Sequence, residues 1–301
     1  MSAPPDFDWL ERCFACGASG LQPVGAYHFL PWQGGFVPDA WLAWCHDTAL
    51  LIRCGRCGSQ GPFRRPSEAL LSSWYAQQSY AAGDVISEGH RRATERLRSI
   101  GKATLVDIGC GGGTFLDLLP PDIQGFGLEP SLKSAAFGRA RGRRIFAPDA
   151  EGWSADLPDA VDVIALFDVI EHLRTPGPFV RRLLRRLNPG GRLVIFTGDA
   201  GSAWSRRWGI RWWYHGWAGH LSCFSATGLG TLLQGMNLSR ESIDSLVYMH
   251  DTPTLRRRVR ELPLRLANRI GALRLLDAVR PPYASSPYSV DHMLMVARAP
   301  A

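Results

Sequence analysis

An α/β fold is predicted, a doubly wound and mostly parallel sheet preceded by a small cysteine-bearing module. Three observations predict it. From residue 103 onward short apolar runs alternate with helical patterns, as in a parallel sheet covered by helices on both faces. The first run ends in an acid and a burst of glycine, LVDIGCGGGTFLDLL over residues 105–119. Four of the seven cysteines are confined to Cys13-Phe-Ala-Cys16 and Cys54-Gly-Arg-Cys57, each pair followed at once by glycine.

Those two turns come first in the chain. A tight Cys-x-x-Cys turn aims two thiolates at one point, and two such turns complete a tetrahedral zinc site. Cys13, Cys16, Cys54 and Cys57 are therefore the candidate ligands of a structural zinc ion in a zinc-ribbon-like module. The 37 residues between the pairs need a hairpin or small sheet to bring them together. Disulfides would be the alternative, and a reducing compartment disfavours them. The module is expected to occupy residues 1–66 and the larger domain 67–301. A chain of 301 residues that is 46% hydrophobic has room for both.

After Pro66 a helical pattern, SEALLSSWYAQQ, leaves the module, and a second helix over about 88–100 leads into the glycine stretch. Five strands follow, ATLVDIG, GFGLEP, RIFAP, DVIALFDV and RLVIFTG, with helices SLKSAAFGRAR and PFVRRLLRRLN between them. Two later strands near SIDSLVYM and HMLMVARA bring the sheet to seven, and between them lies a basic helical insertion, 255–285. Right-handed crossovers put the glycine loop at the carboxyl edge, where ligands bind.

A dinucleotide fingerprint fails at that loop, because counting from Gly109 and Gly111 puts Thr114 where the third glycine or alanine belongs. A phosphate loop of the Walker type fails too, since no Gly-Lys-Ser/Thr follows. What remains is Asp107-x-Gly109-x-Gly111-x-Gly113, with Glu129 at the end of the next strand. A carboxylate there can accept from both hydroxyls of a ribose.

The segments VDIGCGGGTFL, GLEPS, FDVIEHL, LNPGGRLVIFT and HLSCFS, in this order, resemble the class I S-adenosylmethionine-dependent methyltransferases. The resemblance covers about residues 75–250. It implies a Rossmann-like seven-stranded sheet of order 3-2-1-4-5-7-6 whose last-inserted strand is antiparallel. It further implies that Asp107, Gly109, Cys110, Gly111 and Gly113 border the methionine part of S-adenosylmethionine and that Glu129 holds the ribose. Asp149 and Ala150 would lie by the adenine, and Phe167 to His172, with Phe167, Asp168 and His172 foremost, would line the floor; Tyr80, in the preceding segment, is a candidate lid over the cofactor. The donor is a sulfonium cation without phosphate, so a loop of close backbone approach beside acids suits it.

Methyl transfer to an oxygen or an acidic carbon needs the acceptor proton removed, and a histidine is the natural base. His172 after the fourth strand and His220 opening HLSCFS are the candidates, with Tyr214 a weaker one; each histidine also reads as a structural hydrogen bonder. Five of the eleven tryptophans fall between residues 204 and 217, as an acceptor wall for a sugar or other flat ligand or as a packed lid. The acceptor class expected is a sugar-containing or other small metabolite, including a lipid-linked glycan.

A net charge of +7, from 34 basic against 27 acidic residues, hints at an anionic partner. The basic amphipathic stretch 255–280 suits either an anionic membrane surface or the outer face of a covering helix. An RNA methyltransferase is the alternative, disfavoured because the arginines are scattered and LFDVIEHL stands where many base-amino methylases carry Asn/Asp-Pro-Pro-Tyr; a third reading is a non-catalytic scaffold that keeps the cofactor pocket. No run reaches the roughly 18 apolar residues of a membrane span, and the start of the chain lacks signal-peptide features. A cytoplasmic protein is expected, including one held peripherally at the inner face of a membrane.

Overall fold

The apolar runs become strands where the pattern places them. A computed structural model describes residues 7–29, 39–71, 85–149, 152–248 and 289–301. Its strands are β1 (Phe7–Trp9), β2 (Leu21–His28), β3 (Thr48–Cys54), β4 (Gln60–Pro62), β5 (Arg64–Pro66), β6 (Ala103–Ile108), β7 (Ile123–Leu128), β8 (Ile145–Phe146), β9 (Val161–Phe167), β10 (Leu187–Gly198), β11 (Ser239–Val247) and β12 (Val290–Arg298). Its helices are α1 (Asp39–His46), α2 (Glu88–Leu97), α3 (Leu132–Arg139), α4 (Pro176–Leu184), α5 (Ala203–Trp208) and α6 (Ala226–Gln234).

The large sheet has seven strands in the order β11-β12-β10-β9-β6-β7-β8, which is the expected order counted from the other edge. β10, β9, β6, β7 and β8 run parallel, and β12 inserts antiparallel between β10 and β11. Strands covered on both faces read as continuous apolar runs. Accordingly Val163, Ile164, Ala165 and Leu166 of β9 are all buried, and their side chains feed apolar clusters on the two faces of the sheet. Serines start four of the helices: Ser87, Ser131, Ser202 and Ser225 each accept a backbone N–H of the first turn, the role their short hydroxyl suits. The loops after β6, β7, β9 and β10 all leave the same edge, and the functional residues gather there.

The N-terminal strands form a three-stranded sheet, β2-β3-β4, and a β1–β5 pair. They do not stand apart. Gln60 of β4 bridges to Cys223 through two backbone hydrogen bonds of 2.8 and 2.9 Å, and one apolar cluster joins Phe7, Tyr27, Trp44 and Leu51 to Ala218 and Leu221. The expected insertion 255–285 and the helix after residue 71 lie outside the described residues. No helix among the described residues is long and apolar enough to cross a membrane.

Candidate active site

The glycine loop is held from below. Gly109 takes φ +68°, and a Cβ there would stand 2.7 Å from Cγ2 of Val169, so both its conformation and its space require glycine. Gly111, at φ +55°, has nothing within 4 Å of that position and faces open space. Glu129 ties the loop to the next strand, accepting from Gly111 N–H at 2.8 Å on Oε2 and from Ser131 N–H at 2.7 Å on Oε1. Each oxygen keeps a further acceptor position. Asp107, at the end of β6, is buried and its Oδ1 has no hydrogen-bond partner. Burial first, and the nearby Glu129 second, hold its carboxyl well above the usual carboxylate range, and burial raises Glu129 as well.

Two buried acids without an ion-pair partner among the described residues form a place for a cation that also carries hydroxyl donors. That donor set fits S-adenosylmethionine, whose ammonium, sulfonium and ribose hydroxyls offer those groups. Around it, Cys110 packs its sulfur toward Gly127, where a Cβ would come within 2.4 Å, and Gly113 starts the short helix Thr114–Leu118 in the left-handed conformation. Asp149 accepts Trp153 N–H at 3.0 Å and closes the turn beyond β8. Phe167 packs its ring 4.5 Å from those of Phe115 and His90. Ala150 and Tyr80 lie outside the described residues.

A second cluster of functional side chains forms beyond β9 and β10. Asp168 is held at φ +53°, a strained conformation for a residue other than glycine, and takes a hydrogen bond from Tyr248. Next comes Glu171, fully buried, inside the stretch Phe167 to His172 expected to line the floor. Its Oε2 accepts from Thr197 Oγ1 at 2.9 Å and its Oε1 from Tyr214 OH at 2.6 Å, while its backbone oxygen takes the N–H groups of Leu221 and Ser222. One residue thus joins the two loops that carry the histidines.

His172 and His220 are brought together, their rings 4.8 Å apart. Nδ1 of His172 lies 3.1 Å from the Gly219 carbonyl and Nδ1 of His220 lies 2.8 Å from that of Tyr214. A carbonyl only accepts, so Nδ1 carries the proton in both, and in the neutral ring Nε2 keeps the basic lone pair. Burial, then His172, pushes the His220 pKa well below the usual imidazole range. Ligand atoms of Glu171, His172 and His220 lie within 4.8 Å of one another, close enough to share a metal ion.

Tyr214 is different. It is 1% exposed, and its hydroxyl also takes Gly198 N–H at 2.9 Å, so it braces Glu171 and is not presented to an acceptor. The tryptophans mostly pack. Trp212 is fully buried, and it and Trp213 both donate to Oδ2 of Asp291 at 2.9 and 2.8 Å; Trp217 alone among the five is largely exposed. Asp291 in turn meets Nδ1 of His292 at 2.8 Å. An acid and a histidine inside the otherwise apolar run of β12 were the signal for this pair.

The four cysteines converge. Sγ of Cys13 and Cys57 are 3.6 Å apart, as are those of Cys16 and Cys54, and all four lie within 4.8 Å of one another. A disulfide needs about 2.05 Å, whereas four sulfurs each about 2.3 Å from a tetrahedral zinc stand about 3.8 Å apart. The two turns are equivalent: Gly17 N–H returns to the Cys13 carbonyl at 2.8 Å and Gly58 N–H to that of Cys54 at 2.9 Å, each glycine at positive φ.

With this geometry in hand, comparison with known proteins adds the following. Residues 78–243 match the family model described as a methyltransferase domain. The ubiquinone biosynthesis O-methyltransferase of Caulobacter vibrioides is 37% identical over 103 residues, 31% of this chain and 40% of that protein. A probable S-adenosylmethionine-dependent methyltransferase of Mycolicibacterium smegmatis is 36% identical over 112 residues, 36% of this chain and 43% of that one. The mitochondrial ubiquinone biosynthesis O-methyltransferase of Schizosaccharomyces pombe is 28% identical over 101 residues, 31% and 37% of the two chains. The chain spans about two fifths of the length of these curated relatives.

Proposed function

We propose, from the premise that this chain belongs to the methyltransferase-domain family, that it transfers a methyl group from S-adenosylmethionine to an oxygen of a small organic acceptor. The observation that carries the reading is the pair of buried acids, Asp107 and Glu129, beneath a glycine loop open at Gly111. Bound there, S-adenosylmethionine would supply an electrophilic methyl group on a positive sulfur. Asp107 would take the ammonium end, and Glu129 would accept the ribose hydroxyls with the oxygen positions that Gly111 and Ser131 leave open.

The acceptor enters from the side of His172 and His220. Either Nε2 can take a hydroxyl proton as the oxygen attacks; His172, less buried than His220, faces the acceptor first, and His220 positions it. Glu171, Thr197 and Tyr214 keep both loops in register. The naming of the relatives as O-methyltransferases favours oxygen as the methylated atom. Cys13, Cys16, Cys54 and Cys57 hold a structural zinc that fixes the N-terminal strands against the acceptor loop.

Incubation with labelled S-adenosylmethionine and a panel of phenolic, sugar and lipid-linked hydroxyl acceptors tests this. Label should pass to a hydroxyl, and His172→Ala should lower turnover about 10²-fold or more. Transfer to carbon or nitrogen only, or full turnover in His172→Ala, would overturn the corresponding part.

A further inference from the structure

A cavity of about 580 Å³ opens where the first cysteine turn meets the residues following His172. No glycine-loop residue lines it, so it is separate from the methyl-donor site. Its wall carries four arginines, Arg12, Arg65, Arg174 and Arg181, against one carboxylate, Asp8, and two of the zinc-site cysteines, Cys13 and Cys16. Asp8 is spoken for, since it pairs with Arg174.

Arg65 is the anomaly. It is 3% exposed, its Nη2 donates only to neutral oxygens, the Arg174 carbonyl at 2.8 Å and Ser222 Oγ at 3.1 Å, and its Nε has no partner. Glu68 and Cys223 favour its charge, and neither makes a salt bridge with it among the described residues. A guanidinium taken out of water without a counter-anion is costly. Desolvation accordingly draws its pKa down to about 10.

The same wall holds the N-terminus of α4. Thr175 makes no side-chain cap bond there, and because Pro176 and Pro178 have no N–H, Gly177 carries the one uncapped N–H of that first turn. Arg181 reaches back over this end, its Nη1 3.9 Å from where a Gly177 Cβ would stand. The Gly177 N–H at the positive end of a helix, beside a buried guanidinium whose Nε has no partner, converges with it on one kind of ligand, a compact anion. The volume is that of a small-molecule pocket, and Trp9, Phe14 and Leu232 give it apolar surface.

We propose that this cavity binds a phosphate monoester of a small organic molecule, its dianion seated between Arg65, Arg181 and the start of α4 and its organic body against Phe14. The site stands without the methyl-donor reading. Arg65 shares Ser222 with the loop whose N–H groups hold the backbone oxygen of Glu171, the residue before the candidate base.

The test is calorimetric titration of the full zinc-loaded chain, at low ionic strength, with phenyl phosphate, inorganic phosphate and phenol. One phenyl phosphate should bind per chain, more tightly than inorganic phosphate, with phenol silent. Arg65→Gln should weaken it about tenfold or more, as loss of hydrogen bonds to a charged group does. Arg181→Gln, on an exposed position where folding is not at stake, should weaken it by about threefold or more. Both variants should keep their zinc content and their affinity for S-adenosylmethionine. No saturable binding up to about 10 mM, or unchanged affinity in Arg181→Gln, would overturn the proposal; loss of zinc in Arg65→Gln without phosphate binding to the parent would assign the arginine to the cysteine site instead.

Discussion

Gly109→Ala separates two demands that the glycine loop makes on its residues. At φ +68° an alanine enters the left-handed region, at about 1–2 kcal/mol. Its Cβ would also stand 2.7 Å from Val169 Cγ2, an overlap of the kind that costs about 1–3 kcal/mol. Together these come to about 2–5 kcal/mol. Gly111→Ala meets only the first demand, because nothing lies within 4 Å of its Cβ position, so its loss should stay near 1–2 kcal/mol. Urea unfolding of the ligand-free protein measures both. Adding Val169→Ala to Gly109→Ala removes the overlap, so the double variant should lose about 1–3 kcal/mol less than the sum of the singles. Equal losses at the two glycines, or strict additivity with Val169→Ala, would refute a Val169 contact as the reason for glycine at 109.

Other expectations follow from the same geometry. Tyr214→Phe and Glu171→Gln should each cost about 1–3 kcal/mol, and the double variant clearly less than their sum, because both break one hydrogen bond in one buried network; additive losses in urea titrations would place them in separate networks. Removing metal with a strong chelator should cut the melting temperature and turnover together, and zinc alone should restore both; full activity in a protein shown to be metal-free would remove the zinc from the proposal. Stability should also depend on pH in two opposed ways. Asp107 and Glu129 have raised pKa values, so the ligand-free fold is favoured while they are neutral and loses stability as pH rises through those values. A cationic ligand offsets that loss, and the melting-temperature gain from S-adenosylmethionine should grow as pH rises through those raised values; a flat gain would count against the acids as its partners. Burial draws His90 down to about 4 and His215 to about 3. The unfolded chain therefore binds protons first, and stability should fall as pH drops from about 6.5 toward those values, which urea midpoints at pH 7 and 5 would register.

The sheet was legible because its central strands are covered on both faces and so had to be continuous apolar runs, and SIDSLVYM and HMLMVARA could be added as Ser239–Val247 and Val290–Arg298. The glycine loop was legible because a positive φ leaves its mark in the residue type. RIFAP shrank to the two residues Ile145–Phe146, an edge strand with one neighbour and little to extend it. The join between the N-terminal strands and the acceptor loop left no local sign, since Gln60 meets Cys223 and His215 from about 160 residues away without any periodic pattern. Tryptophan marks burial and ligand stacking equally well, so the cluster at 204–217 needed coordinates to resolve mostly into packing. Glu171 was hidden in plain view beside His172. Its role comes from hydroxyls on two other segments, Thr197 and Tyr214, that no spacing rule connects to it.

Binding of the methyl donor is the most direct test. Purified, zinc-replete chain is titrated by calorimetry with S-adenosylmethionine and, in parallel, with NAD and FAD. One S-adenosylmethionine should bind per chain, Asp107→Asn should weaken it about tenfold or more, and neither dinucleotide should give saturable heat. Saturation by NAD or FAD in a chain that ignores S-adenosylmethionine would contradict the assignment of the two carboxylates to a sulfonium donor.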